Sequence, residues 1–266
     1  MGNRKLKLAI ASGKGGVGKS MLASSLAILF SKKFKIVAVD CDVDTPNLLI
    51  WLGEKERWKK KIPIKISFQP EIDYKKCVGC KKCVLNCKFS ALKMEKGKPI
   101  VNPYLCEGCG ACELICPKRA IKMKLKKTGE IRIKRTKYGF PLIEGRLHPG
   151  ETGSGKIIEQ LKEEADKIPA ELEILDSAPG RGCPVISTLK NADYVVLISE
   201  PTPSSFVDLR RVSEIVNHFQ IPFGVVVNKW DINPNGTEKI KRWAKNNFLG
   251  KIKYEKRIFE KLENFT

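Results

Sequence analysis

From Gly13 to Ser20 the chain reads Gly-Lys-Gly-Gly-Val-Gly-Lys-Ser, and no other stretch constrains the fold as tightly. The apolar run Leu6 to Ala11 precedes it and the helical pattern Met21 to Phe30 follows, so the order is strand, loop, helix. A Gly-x4-Gly-Lys-Ser loop in that setting wraps backbone N–H groups around phosphate oxygens. It sends Lys19 to the β/γ oxygens and sets the Ser20 hydroxyl on Mg²⁺. Gly13, Gly15, Gly16 and Gly18 let the backbone approach closely. The expected nucleotide site therefore runs through Gly13, Lys14, Gly15, Gly16, Val17, Gly18, Lys19, Ser20 and Met21.

With 266 residues, 42% of them hydrophobic, the chain can build one large domain or two smaller ones around a real core. No apolar run reaches the ~18 to 20 residues of a membrane span. The charged start runs directly into a strand rather than into a signal peptide, and Leu6 stands where a myristoylation motif has Ser or Thr. A cytoplasmic protein is expected. The formal charge of +21 is uneven: residues 54–141 hold 24 Lys+Arg against 8 Asp+Glu, and the remainder 26 against 21. It is densest in residues 118–137, where charged and apolar residues alternate as in a half-exposed strand.

Eight of the ten cysteines fall within residues 54–141, in two runs. They are Cys77-x2-Cys80-x2-Cys83-x3-Cys87 and Cys106-x2-Cys109-x2-Cys112-x3-Cys116-Pro117. Zinc sites favour paired Cys-x2-Cys units with longer gaps, and disulfides are foreign to a reducing compartment. The spacing resembles that of bacterial two-cluster ferredoxins, in which the fourth cysteine of each run ligates the other cluster. The resemblance implies one [4Fe–4S] cluster on Cys77, Cys80, Cys83 and Cys116 and a second on Cys106, Cys109, Cys112 and Cys87. Lys88 departs from the pattern, which usually has Pro there. Such clusters are anionic, so the lysines read as a collar that favours reduced clusters and acidic redox partners. No nucleic-acid recognition module is legible in the insert.

The second loop lysine, Lys14, resembles that of the deviant-Walker-A ATPases, a family that includes MinD, ParA, the nitrogenase iron protein and Mrp-type cluster carriers. In that family such a lysine reaches the nucleotide of a facing subunit. The resemblance implies an ATP-sandwich dimer, either a homodimer or a heterodimer with a paralogous subunit. It identifies Asp40, Asp42 and Asp44 with switch I, where Asp42 orients the attacking water and Asp40 supports Mg²⁺ and the loop. Asp176 to Gly180 match switch II: Asp176 holds Mg²⁺ through water and the Gly180 N–H senses the γ-phosphate. Lys14, Lys19 and Asp42 are the expected catalytic residues, with Ser20, Asp40, Asp42 and Asp176 about Mg²⁺. Asn228 is the expected base-recognising residue. It opens Asn228-Lys229-Trp230-Asp231, which also fits the guanine motif, and the resemblance favours ATP over GTP.

Gly150 to Ile157 imitates a second phosphate loop but has Ile157 where Ser or Thr would bind Mg²⁺, so no second nucleotide site is expected. Cys183 falls where the nitrogenase iron protein places a cluster cysteine; without a second candidate it is read as a packed thiol, and Cys41 likewise. Ile258, Phe259, Leu262 and Phe265 could form the apolar face of a terminal helix, read as packing on its own domain rather than on a membrane.

The expected fold is α/β, a doubly wound, mostly parallel sheet of the P-loop NTPase kind carrying a small inserted α+β two-cluster ferredoxin domain. The expected division is residues 1–53 and 142–266 for the ATPase and 54–141 for the insert. The expected activity is ATP hydrolysis coupled to electron transfer through the clusters. The alternatives are an Mrp-type cluster carrier, against which stand the eight paired cysteines, and a ParA- or MinD-like spatial organiser.

Overall fold

The structure, a computed structural model, describes residues 4–258. From β1 (Leu6–Ser12) the chain passes through α1 (Lys19–Ser31), β2 (Ile36–Asp40), the single turn α2 (Leu48–Trp51) and β3 (Lys60–Ile64). It continues through β4 (Ser67–Ile72), α3 (Lys82–Leu85), β5 (Leu92–Glu95), β6 (Lys98–Val101), α4 (Ala111–Leu114) and β7 (Ile121–Lys126). Next come β8 (Gly129–Arg135), β9 (Pro141–Leu147), α5 (Ser154–Asp166), β10 (Leu172–Pro179), α6 (Cys183–Leu189) and β11 (Tyr194–Ser199). The last elements are α7 (Pro203–His218), β12 (Phe223–Asn228), α8 (Pro234–Ala244) and β13 (Phe248–Ile252).

Nine of the described strands form one sheet in the order β13-β12-β11-β1-β10-β2-β9-β8-β3. The pairings from β13 through β9 are all parallel. A parallel sheet covered on both faces needs strands that are apolar throughout, and Ile36-Val37-Ala38-Val39-Asp40 is buried at every position. The helices are placed by local signals. Thr202 accepts from the Ser205 N–H at the start of α7, Asn233 accepts from the Gly236 N–H at the start of α8, and each helix opens with a proline. In α5 the buried Ile157, Ile158, Leu161 and Ala165 make one helical stripe.

The chain divides into two compact units. Pro63–Glu130 with Leu147–Gly153 form the smaller, and the segments up to Ile62, Ile131–Arg146 and from Ser154 onward form the larger. The smaller unit is narrower than the expected 54–141. Its flanks belong to the larger unit, where ion pairs of Arg132 with Glu56 (2.6 Å) and Lys134 with Glu54 (2.5 Å) hold them. Residues 62–68 are divided between two strands, β3 and β4. Thr128 takes over between them, its N–H bonding the Ile64 carbonyl and its hydroxyl accepting from the Ile66 N–H.

The smaller unit is built on a repeat of 29 residues. Gly79 and Gly108 both have positive φ (69° and 67°), as do Lys81 and Gly110 (62° and 77°) and Ser90 and Arg119 (52° and 47°). β4 pairs antiparallel with β7, from Ser67↔Lys126 to Ile72↔Ile121, and β5 pairs with β6. The unit's buried cluster is small, with Ile72, Cys83, Leu92 and Ile121 at its centre and four further cysteines packed around them.

Candidate functional site

At the carboxyl ends of β1, β2 and β12 a cavity of about 330 Å³ is lined by Lys14, Gly15, Gly16, Gly18, Lys19, Ser20, Met21, Asp42 and Asn228. Gly18 sits in the left-handed region at φ 95°, where a Cβ would also meet the Asn228 amide at 2.3 Å. Two expected members do not line it. The Val17 side chain is buried in the core beside Ile10 and Leu22. Gly13 is needed for clearance, because a Cβ there would lie 2.2 Å from the Asp208 carbonyl oxygen of α7.

Lys19 Nζ donates to Asp176 Oδ1 at 2.9 Å, a buried pair. Burial works to lower the lysine's pKa, but attraction to Asp176, Asp40 and Asp42 outweighs it and the net direction is upward. The second oxygen, Asp176 Oδ2, is buried with no hydrogen-bond partner. Asp40 is buried and lies outside the lining: Oδ1 accepts from the Asp42 N–H, and Oδ2 accepts from the Asn47 and Leu48 N–H groups at 3.0 and 2.8 Å. It thus caps α2 and shapes the loop that carries Asp42. Burial, with repulsion from Asp176, pushes its carboxyl above the ordinary range. Asp42 Oδ1 accepts from the N–H and hydroxyl of Thr45, and burial raises its pKa as well. Asp44 is exposed. The Gly180 N–H donates to the Ser12 carbonyl at 2.9 Å rather than standing open to the cavity. Asn228 donates to the Val17 carbonyl at 2.9 Å, pinning the loop to the end of β12, and accepts from the Lys229 N–H.

Sequence reasoning missed Ser12, Thr45, Asn47, Trp51, Pro179 and Lys229 in the wall. Thr45 and Asn47 lie in the acidic loop after β2 and could have been read there. Trp51 carries no motif, and only the turn of α2 brings it round.

In the smaller unit, Cys77, Cys80, Cys83 and Cys116 line one cavity, and Cys87, Cys106, Cys109 and Cys112 line another. These are the two expected sets of four. The fourth cysteine of each run crosses to the other cavity, and each receives the same backbone bond: the Ala91 N–H to Cys87 Sγ and the Ala120 N–H to Cys116 Sγ, both at 3.3 Å. Burial pushes the Cys112 thiol up to about 11 and raises that of Cys83. Among the described residues no group of three or more His, Cys, Asp or Glu could hold a single metal ion.

The first part of the phosphate-loop imitation, Gly150 to Gly153, belongs to the smaller unit, where Gly150 (φ 78°) lies against Tyr104 and Glu151 pairs with Lys126 at 2.8 Å; its second part opens α5 in the larger unit. Cys183, expected to be packed, is exposed at the start of α6, whereas Cys41 is buried. Of the terminal apolar face, Phe259, Leu262 and Phe265 lie outside the described residues. Among the described residues no helix is long and apolar enough to cross a membrane.

A family profile, the CobQ/CobB/MinD/ParA nucleotide binding domain, matches residues 8–265. The chain belongs to this family. An uncharacterized protein of Methanocaldococcus jannaschii, MJ0578, is 47% identical over 228 residues, 86% of this chain and 79% of that protein. A second uncharacterized protein of the same organism, MJ0579, is 33% identical over 254 residues, 95% of this chain and 87% of that protein. The fold is similar to the septum site-determining protein MinD complexed with Mg-ADP from Pyrococcus horikoshii, with a TM-score of 0.58 and 14% identity, over 98% of this chain and 86% of that one.

Proposed function

We propose that this nucleotide-binding domain hydrolyses ATP with Mg²⁺ and couples the nucleotide state to electron transfer through two [4Fe–4S] clusters in an inserted ferredoxin domain. The observation that carries the reading is the partition of eight cysteines into two cavities, four and four, with one cysteine exchanged between the runs. Clusters held there would supply one-electron transfer at fixed positions.

At the nucleotide site, Ser20 and Asp42 line the cavity and would hold Mg²⁺ with Asp176, whose unpartnered buried oxygen suits a cation. Mg²⁺ would neutralise charge on the β/γ oxygens. Asp40 supports this arrangement from behind by fixing the Asp42 loop. Lys19 must leave Asp176 to reach phosphate oxygens, and the Gly180 N–H must leave Ser12 to sense a γ-phosphate. Asp42 would orient the attacking water, Asn228 would meet the base, and the exposed Lys14 would reach the nucleotide of a facing subunit. That subunit is a second copy or a paralogue; two relatives of this chain within one organism favour keeping the paralogue open.

Anaerobic reconstitution followed by redox titration with electron paramagnetic resonance, with and without MgATP, tests the reading. Coupling is reciprocal, so a tenfold effect of ATP on a one-electron equilibrium, about 59 mV, requires that reduction change ATP affinity tenfold. Potentials indifferent to nucleotide would sink the coupling. The likeness in fold to MinD favours a second reading, a spatial organiser. ATP-dependent binding to liposomes or DNA would bring it forward.

A further inference from the structure

The 29-residue repeat makes the two cysteine cavities an internal control for each other. Ile121 and Pro99 line the cavity of Cys77, Cys80, Cys83 and Cys116, and their repeat equivalents Leu92 and Pro70 line the cavity of Cys87, Cys106, Cys109 and Cys112. The frame is the same, but the charges are not. Lys81, Lys82 and Lys118 line the first cavity, and their equivalents in the second are Gly110, Ala111 and Phe89. In the other direction, Val78 of the first corresponds to Glu107 of the second. One cavity thus carries three cations and no acid, and the other one acid and no cation. Lys81 even occupies a left-handed position, φ 62°, where its equivalent is glycine.

We infer that the two cavities are electrically unequal: an electron entering the smaller unit rests at the Cys77–Cys80–Cys83–Cys116 cavity, and its exposed lysines form the docking face for an acidic one-electron carrier protein. The inference rests on the proposed cluster binding. An added electron is an added negative charge, so nearby cations stabilise the reduced state and nearby carboxylates oppose it. Lys81, Lys82, Lys118 and Val78 are all exposed, so the same residues present a basic rim with an apolar centre. Such a rim draws an acidic partner by long-range attraction and orients it. In the transfer the carrier is oxidised by one electron and the group at the lysine-lined cavity is reduced by one, with no bond or proton exchanged.

The test uses the full-length reconstituted chain. Iron and sulfide analysis first asks whether about eight of each are retained per chain; a chain that binds none overturns the cluster reading itself. In loaded protein, two one-electron potentials should be resolved. Lys82→Glu with Lys118→Glu should lower the higher one by at least tenfold in equilibrium constant, about 59 mV. Glu107→Lys should raise the lower one. Reduction by flavodoxin hydroquinone, a small acidic one-electron donor, should slow at least tenfold in the double variant at low salt. It should become less sensitive to ionic strength, while Lys93→Glu, outside both cavities, changes it less than twofold. If the glutamates impair loading, Lys82→Gln with Lys118→Gln serves, with effects of the same sign. Loaded variants whose potentials and salt dependence match the parent, or a Lys93 variant as slow as the double variant, would overturn the inference and leave cluster binding standing.

Discussion

The two units place their candidate sites in opposite relation to their cores. In the larger unit the core is finished before the site begins: β2 is buried throughout, and the nucleotide cavity lies at the strand ends, outside the packed apolar cluster of Ile10, Leu22, Ile36, Ile174 and Ile198. In the smaller unit the site is the core. Cys83 is among the residues of its buried cluster and Cys77, Cys87, Cys112 and Cys116 pack around them, with Ile72, Leu92 and Ile121 supplying the cluster's buried aliphatic bulk. A large core tolerates an empty site; a core built from the cysteines of the proposed cluster sites would depend on their being filled.

The largest expected effect breaks this contrast or establishes it. Stripping iron from the loaded protein with a chelator should release the amides of β4 and β7, exchanging a hundredfold faster or more, about 2.7 kcal/mol of lost protection. The amides of β1, β10 and β11 should keep theirs. Hydrogen exchange read by mass spectrometry distinguishes the two, and equal loss in both units would refute the contrast. ATP affinity by titration calorimetry should survive stripping within about tenfold, on the same ground.

Within the larger unit, Lys19→Met should cost about 3 kcal/mol in the absence of nucleotide, because it leaves the Asp176 carboxylate buried and unpaired. It should also abolish ATP binding. Urea unfolding followed by circular dichroism measures the first effect, and an undiminished midpoint would show that the pair is not what holds the loop. The loop's sequence announced Lys19 as a partner of phosphate, and the switch II resemblance implied Asp176 as a partner of Mg²⁺. Their bond to each other was not legible, since it depends on β1 and β10 lying side by side. Gly180 and Asn228 were legible in the same limited way. Motif position located them, while their bonds to Ser12 and Val17 are products of three-dimensional packing.

A smaller effect, about 1 to 3 kcal/mol, is expected for Gly13→Ala. Motif reasoning gives this glycine to the phosphates, but the structure gives it to α7, where the new Cβ would press on the Asp208 backbone. A variant with unchanged stability and impaired ATP binding would favour the motif over the packing. The insert was legible in the complementary way. Spacing grouped three cysteines of each run within seven residues, and only the resemblance named the fourth, from the other run, that lines the same cavity. Its borders were misjudged by charge, which cannot tell a basic insert from the basic strand β8, whose Arg132 and Lys134 pair with Glu56 and Glu54.

The smallest expected effect concerns an exception to the larger unit's order. Glu173 on β10 is buried, neither carboxylate oxygen has a hydrogen-bond partner, and Lys7 Nζ is 3.8 Å away. Burial pushes its pKa up against the pull of Lys7 and Lys5, with Asp166 adding to the rise and Lys162 opposing it. A carboxyl with a raised folded pKa binds its proton more tightly in the native state. Its contribution is therefore most favourable below the ordinary carboxylate range, near ~4.3, and is lost as pH rises through the folded value. Glu173→Met should accordingly stabilise the larger unit by about 1 kcal/mol at pH 8. That advantage should shrink as pH falls toward the unfolded pKa, because the native Glu173 is then neutral and no longer penalised. Urea midpoints of both proteins across this range decide the matter. An advantage that persists unchanged at low pH would mean that methionine gains by packing alone, and that the buried charge costs this core nothing.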